Sequence, residues 1–401
     1  MNLFRKIYCR GFQAAFKLAI PILPYSSPAI LHNAKAIAPV LNDKGLKKIL
    51  IVTDKNIHGA GLIEPLKEAL VKYGIDYFVF DETVPNPTVE NATKAFNMYM
   101  ENSCSAIIGF GGGSCMDCAK IVGAKVARPK KTIAKMEGIL KIHSKLPFLI
   151  AVPTTAGTGS EVTVTTVMTD EKNHHKFPIS DFCLIPKVAV LDPEITIGLS
   201  KQLTASTGMD ALTHAIEAYI GRSTVKSTRR DCIEAVRLIC DNLENAYRDG
   251  NNLKARENML WGSFLAGRAF SKSYVGYCHA VAHSLGGKYN TPHGLANAVL
   301  LPHTLELYGE SVYNKLKKLA VAIGIAEKNT DAKAAAKAFI EKIKKMNENM
   351  GIQRYLPEVK KEDVPKLAIY ADKEANPLYP VPKLMDAKEL QNLYYCVVEE
   401  K

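Results

Sequence analysis

Two histidine-bearing stretches hold the side chains best suited to chemistry. In Ser206–Tyr219, Asp210 and His214 stand four apart in a segment with apolar helical periodicity. That spacing places both on one helix face, one turn above the other. In Cys278–Gly294, His279 and His283 repeat the spacing, and His293 follows Gly286-Gly287 and Thr291-Pro292, so it is expected from beyond a turn. One carboxylate and three imidazoles suit a borderline divalent metal. A lone Asp on a helix is commonly a cap, and a lone His a hydrogen-bonded core residue. Two i,i+4 pairs in apolar segments favour the metal reading. Glu217 or His283 then has a role in orienting a ligand. His303, after Leu301-Pro302, reads as structural, and His32, His58 and His143 carry no signal.

A second kind of chemistry is written in glycines. The short apolar run Ser105–Phe110 reads as a strand and runs into Gly111-Gly112-Gly113-Ser114, with Asp117 and Lys120 following in a helical stretch. Glycines let backbone approach a ligand, and the free N–H groups of a helix start suit a phosphate. A bare turn is the other reading. A second polar loop, Pro153–Glu161, follows the strand Phe148–Val152 and carries Thr154, Thr155 and Thr158. Two such loops at strand ends put a binding mouth at one edge of a sheet.

Around these loops, strands alternate with helical patterns: Lys47–Asp54, Asp76–Phe80, Ser105–Phe110, Phe148–Val152 and Lys187–Asp192 read as strands. This alternation predicts a parallel sheet with helices on both faces. Val162–Met168 and Lys176–Ile179 read as a hairpin turning at Thr169–Asn173, with His174 and His175 on the surface. Beyond Leu199 strands vanish. Helices are expected over Ser200–Ser206, Asp210–Ile220, Thr228–Tyr247, Leu253–Phe270, Cys278–Gly286, Thr304–Gly324, Asp331–Met346 and Ala387–Val398. The predicted architecture is an N-terminal Rossmann-like α/β domain, residues 1–198, followed by an all-α metal-binding domain, residues 199–401. The cleft between them is where cofactor and metal could meet. Residues 1–45 are an extension of uncertain role.

Bulk properties narrow the classes. The chain has 401 residues, enough for two ordinary domains, and is 47% hydrophobic and 23% charged, as soluble proteins are. The net charge of +12 raises polyanion binding. The lysines, however, fall on helix faces, and no arginine–aromatic cluster forms a nucleic-acid groove, so no nucleic-acid partner is expected. Nine scattered cysteines suit reduced thiols in the cytoplasm, and Cys115–Cys118 reads as two small buried residues. No stretch approaches the roughly 20 apolar residues of a transmembrane segment. The basic, apolar start is read as a capping helix folded on the first domain, with membrane-surface contact by residues 1–20 the alternative.

Gly111-Gly-Gly-Ser114 with Asp117 and Lys120, Pro153–Glu161, Gly208–Glu217, and His279, His283 and His293-Gly294 together resemble the iron-containing, or group III, alcohol dehydrogenases. The likeness extends to the lactaldehyde reductase, butanol and 1,3-propanediol dehydrogenase branches. The resemblance implies Fe²⁺ on Asp210, His214, His279 and His293, a ligand set that also accepts Zn²⁺. It places His283 beside the metal and the nicotinamide without ligating. It puts the NAD(H) pyrophosphate on Gly111, Gly112, Gly113 and Ser114, the nicotinamide along Thr154, Thr155 and Thr158, and a cofactor oxygen near Lys176. Asp54 matches an acidic position that meets the adenosine ribose. A carboxylate there repels a 2′-phosphate, which predicts NAD(H) over NADP(H). A helix N-cap is the other reading of Asp54. Phe270 and Thr165 match pocket-lining positions, implying a small aliphatic alcohol or aldehyde. A homodimer or larger homo-oligomer is expected. Where the family often has Asn-Pro-Arg near its end, this chain has Asn376-Pro-Leu. Two other classes stay open: a zinc polyol enzyme like glycerol dehydrogenase, and a non-catalytic structural protein.

Overall fold

The structure, a computed structural model, describes residues 1–171 and 175–398. The tip of the expected Thr169–Asn173 turn, His174 and the side chain of His175 lie outside the described residues. The chain divides into two units, Met1–Leu23 with Gly198–Lys401, and Pro24–Ile197.

The first helix, α1 (Leu3–Ala19), belongs to the former unit and is taken up with it. In Pro24–Ile197 the strands are β1 (Ala29–Leu31), β2 (Lys48–Val52), β3 (Asp76–Phe80), β4 (Ala106–Gly111), β5 (Gly138–Ile139), β6 (Phe148–Pro153), β7 (Thr165–Asp170), β8 (His175–Ser180) and β9 (Val188–Val190). Six of them form an all-parallel sheet in the order β1-β9-β6-β4-β2-β3. Its helices are α2 (Ile37–Asp43), α3 (Lys55–Gly59), α4 (Glu64–Lys72), α5 (Val89–Glu101) and α6 (Gly113–Ala127). Ile49, Leu50, Ile51 and Val52 of β2 are all fully buried because both faces are covered. Leu50 and Val52 pack toward α5 and α6, and Ile49 and Ile51 toward α2 and α4. After β3 the chain crosses to the other side of β2 to lay down β4. The strand order therefore reverses between β2 and β4, where Gly111 ends β4 and Asp54 follows the end of β2. β7 and β8 form the expected antiparallel hairpin, with β5 as a third strand.

The helical unit contains α7 (Lys201–Ile220), α8 (Lys226–Arg248), α9 (Leu253–Ser273), α10 (Tyr277–Tyr289), α11 (His293–Tyr308), α12 (Tyr313–Ala322), α13 (Ala332–Asn349), α14 (Val364–Ala375) and α15 (Ala387–Tyr395). Four expectations need correction. Ser200–Ser206 and Asp210–Ile220 are one helix, α7. Gly208 inside it costs about 1 kcal/mol against alanine, but a Cβ there would collide with Leu243 of α8, so the glycine permits close packing. A helix, α11, already runs through Pro302, upstream of the expected Thr304 start. Proline supplies no N–H to Ala298 O, and Asn347 Nδ2 donates to that carbonyl instead, at 2.7 Å. Helix α14 was not anticipated. Finally, α1 packs on the helical unit and not on the first domain. Arg5 makes a bidentate pair with Asp372 at 2.6 and 2.8 Å, Arg10 donates to the carbonyls of Val381 and Pro382, and Gln13 Nε2 donates to Tyr379 O.

Gly294 fixes how closely α11 approaches α7. A Cβ on it would stand 2.8 Å from the carbonyl carbon of Ser206, which is backbone and cannot swing aside. Gly294→Ala is expected to displace the adjacent His293 and weaken divalent-metal retention by about tenfold or more, with helix content unchanged by circular dichroism. Wild-type retention in this variant would show that the close approach is not needed.

Candidate metal centre and nucleotide loops

Asp210 and His214 come from α7, His279 from the first turn of α10, and His293 is the first residue of α11. One ligand atom from each lies within 4.8 Å of all the others. His279 Nε2 is buried without a hydrogen-bond partner and stands 3.7 Å from Asp210 Oδ1, and His293 Nε2 stands 3.4 Å from the same oxygen. A bare imidazole nitrogen aimed at a carboxylate across a gap too wide for a hydrogen bond is what a cation would bridge. The donor set, one oxygen and three nitrogens, fits Fe²⁺ or Zn²⁺. The His214 ring lies between Phe270 (centroids 4.2 Å apart, 15° between planes) and His279 (4.3 Å, 25°), which fixes its tilt.

A carboxylate behind the site sets the tautomer. Glu217, one helical turn below His214, contacts His279 Nδ1 at 2.7 Å and accepts the backbone N–H groups of Gly276 and Cys278 at the start of α10. It thus caps a helix and holds the Nδ1 proton, leaving Nε2 to face the cluster. Gly276 must lack a side chain, since a Cβ would sit 2.5 Å from Glu217 Oε1. Burial disfavours a charged His279, but Asp210 and Glu217 outweigh it and lift its pKa to about 9. Burial also opposes the Asp210 carboxylate, which the surrounding histidines hold well below its usual range, while burial pushes His293 down. The low Asp210 and the raised His279 describe a place that favours one positive charge, and the lowered His293 keeps that imidazole neutral, as a metal ligand must be. Asn297, buried one turn after His293, donates to Asp210 Oδ1 at 2.7 Å and contacts His293 Nε2 at 3.1 Å.

His283 stays outside the four-residue group. Its ring stacks on His293 (5.0 Å, 16°), and its Nδ1 is 2.6 Å from Glu374 Oε1, which also accepts the Tyr379 hydroxyl at 2.7 Å.

In the nucleotide unit the glycine triplet ends β4 and opens α6. Gly111 has φ +156°, and a Cβ there would collide with Cys115. Gly112 precedes the first turn of α6 with no side-chain cap, and Gly113 and Ser114 begin the helix, so their N–H groups are open to an anion. Gly113 packs against Thr158, whose Oγ1 accepts Ser160 N–H, and Thr154 N–H donates to Gly111 O. Asp117 uses its oxygens on Ser160 Oγ and Val167 N–H, so it ties the threonine loop and β7 to α6. Lys120, fully buried, holds Thr163 O, Thr163 Oγ1 and Thr165 O within 2.8–3.1 Å. Burial pushes its ammonium down to about 8 and the neighbouring Glu161 up to about 7. The Thr165 hydroxyl pairs with Ser180 Oγ across the hairpin, and Lys176 Nζ donates to Asn86. Asp54 is the N-cap of α3: Oδ1 accepts the N–H groups of Asn56 and Ile57, and Oδ2 lies 3.5 Å from Cys115 Sγ.

Sequence reasoning missed Asn297, Glu374 and Tyr379. Asn297 stands i+4 from His293, a spacing that could have revealed it. Glu374 and Tyr379 arrive from a distant segment and carry no local signal.

Comparison with known proteins agrees with the geometry. Residues 30–193 match the iron-containing alcohol dehydrogenase model, and residues 204–398 match the C-terminal model of the Fe-containing alcohol dehydrogenase family. The chain is 40% identical over 360 residues to the 1,3-propanediol dehydrogenase of Citrobacter freundii, covering 87% of this chain and 91% of that protein. It is 34% identical to the lactaldehyde reductase of Escherichia coli strain K12 over 83% of this chain and 87% of that one. The crystal structure of a 1,3-propanediol oxidoreductase superposes with a TM-score of 0.89 at 36% identity, covering 92% of this chain and 98% of its own. The chain therefore belongs to the iron-containing alcohol dehydrogenase family, as an NAD(H)-dependent, metal-binding oxidoreductase of small alcohols and aldehydes.

Proposed function

We propose that the chain interconverts short aliphatic alcohols or terminal diols with their aldehydes, with Fe²⁺ held by Asp210, His214, His279 and His293. The convergence of those four side chains carries this reading. Iron bound there supplies Lewis acidity toward the alcohol or carbonyl oxygen, and bound NAD(H) supplies the hydride acceptor or donor. The chain's own residues do the rest. Glu217 keeps the His279 proton on Nδ1, and Asn297 steadies Asp210 and His293. The N–H groups of Gly113 and Ser114 receive pyrophosphate, with Gly111 and Gly112 giving it room. Thr154, Thr155 and Thr158 border the nicotinamide, Lys176 meets a cofactor oxygen, and Asp117 positions the loops that do so. Asp54 meets the adenosine ribose while capping α3. Family likeness gives Phe270, stacked on His214, and Thr165 roles in lining the substrate. His283, held by Glu374, takes up the proton released when an alcohol is oxidised and returns it in reduction.

The likeness to a 1,3-propanediol dehydrogenase over most of both chains supports the diol class. Family likeness also supports a homodimer or larger homo-oligomer, and nine free thiols support a reducing, cytoplasmic setting.

Anaerobically purified protein is expected to oxidise NADH with propanal, butanal or lactaldehyde, and to reduce NAD⁺ with 1,3-propanediol. The kcat/KM with NADH should exceed that with NADPH. Equal or better use of NADPH would remove the role given to Asp54, and glycerol oxidation with zinc and no aldehyde reduction would move the substrate class. Glu217→Gln is expected to lower metal affinity about 10–100-fold, read by chelator competition. Unchanged affinity would remove Glu217 from the site.

A further inference from the structure

The outward face of α1 is apolar, and its inner face already serves the fold. Leu3, Phe4, Ile7, Tyr8 and Leu18, with Ile22 just beyond, are 62–86% exposed. On the opposite side, Cys9 and Gln13 are buried, Arg5 pairs with Asp372, and Phe16 packs on Tyr274. A contiguous exposed apolar strip of this kind marks an interaction surface more often than a solvated face. At helical spacing Lys6, Arg10 and Lys17 run along one border of the strip, and no Asp or Glu occurs before Asp43.

The border continues into a basic cluster on the same unit. Gln13 O accepts the hydroxyl of Ser223, which puts Arg222 beside α1, and Lys315 Nζ donates to the carbonyls of Ile220 and Gly221. Burial, then Arg222, Arg229, Lys17 and Lys318, push Lys315 down to about 8, the mark of like charges gathered together. The nearby acids are engaged: Asp372 by Arg5, and Asp386 and Glu389 by the Met1 amino group. A second copy meeting this face would bring two strips with a net basic character, and no acid before Asp43, into one interface. An anionic surface meets both features at once. Among the described residues no helix is long and apolar enough to cross a membrane, so contact would be interfacial.

We propose that α1 docks the enzyme on an anionic lipid bilayer surface. The helix lies in the interface plane, with Phe4, Ile7, Tyr8 and Leu18 among the acyl chains and Lys6, Lys17, Arg222, Arg229 and Lys318 against the headgroups. The helical unit stays outside, held to α1 by Arg5, Arg10 and Gln13.

Co-sedimentation of the full chain with phosphatidylcholine vesicles, with and without about one-third phosphatidylglycerol, tests this. Binding to the anionic vesicles is expected to be at least about tenfold tighter than to neutral ones, and to fall with salt. Phe4→Glu/Ile7→Glu should abolish it, and Lys17→Ala should weaken it about fivefold. Aldehyde reductase activity, or circular dichroism if the enzyme proves inactive, should be unchanged in both variants. No sedimentation with either vesicle, or equal binding to both, overturns the proposal. So does a fall in particle mass by light scattering in Phe4→Glu/Ile7→Glu when the parent chain ignores vesicles, because the face would then belong to a second copy.

Discussion

Four ionisable side chains, Asp210, His214, His279 and His293, bring ligand atoms within 4.8 Å of one another, and the first three are buried. Burying such groups is costly unless each is hydrogen-bonded or shares a cation. The helical unit can be understood as the means of meeting that constraint. Glu217 is central to it, because one carboxylate both caps α10 and holds His279 Nδ1. Asn297 donates to Asp210 and contacts His293, so one amide ties these two together. Both depend on glycines: Gly276 makes room for Glu217, and Gly294 lets α11 come against α7.

The nucleotide unit solves a different problem with the same economy. Its loops must be open to a ligand yet fixed, so the fixing groups sit behind them. Asp117 and Lys120 stand one turn apart on α6, and between them they hold Ser160, Thr163, Thr165 and Val167. The N–H groups at the start of α6 face outward and stay uncapped. Asp54 caps α3 through Oδ1, so the ribose reading and the N-cap reading do not exclude each other.

Much of this was legible in the sequence because it is local. The i,i+4 pairs on α7 and α10, the continuous apolar run of β2 and the glycine triplet after β4 each carry a period or a residue type that fixes their structure. What was not legible depends on partners far along the chain. Ser200–Ser206 and Asp210–Ile220 read as two helices because Leu243, which fills the space beside Gly208, lies on α8. The helix through Pro302 leaves no local signal, because Asn347, which serves the orphaned Ala298 carbonyl, is 49 residues away. Helix α1 was assigned to the wrong unit because Asp372, Tyr379 and Val381, which hold it, lie at the opposite end of the sequence. Glu374 escaped notice for the same reason.

Asp210, His214, His279 and His293 are proposed to share one ion. Elemental analysis of anaerobically purified protein after gel filtration, set beside Asp210→Ala, tests it most directly. About one equivalent of iron or zinc per chain is expected in the parent, and its loss in the variant with helix content intact. A parent chain that takes up no metal on reconstitution, or a variant that keeps as much as the parent, would contradict it.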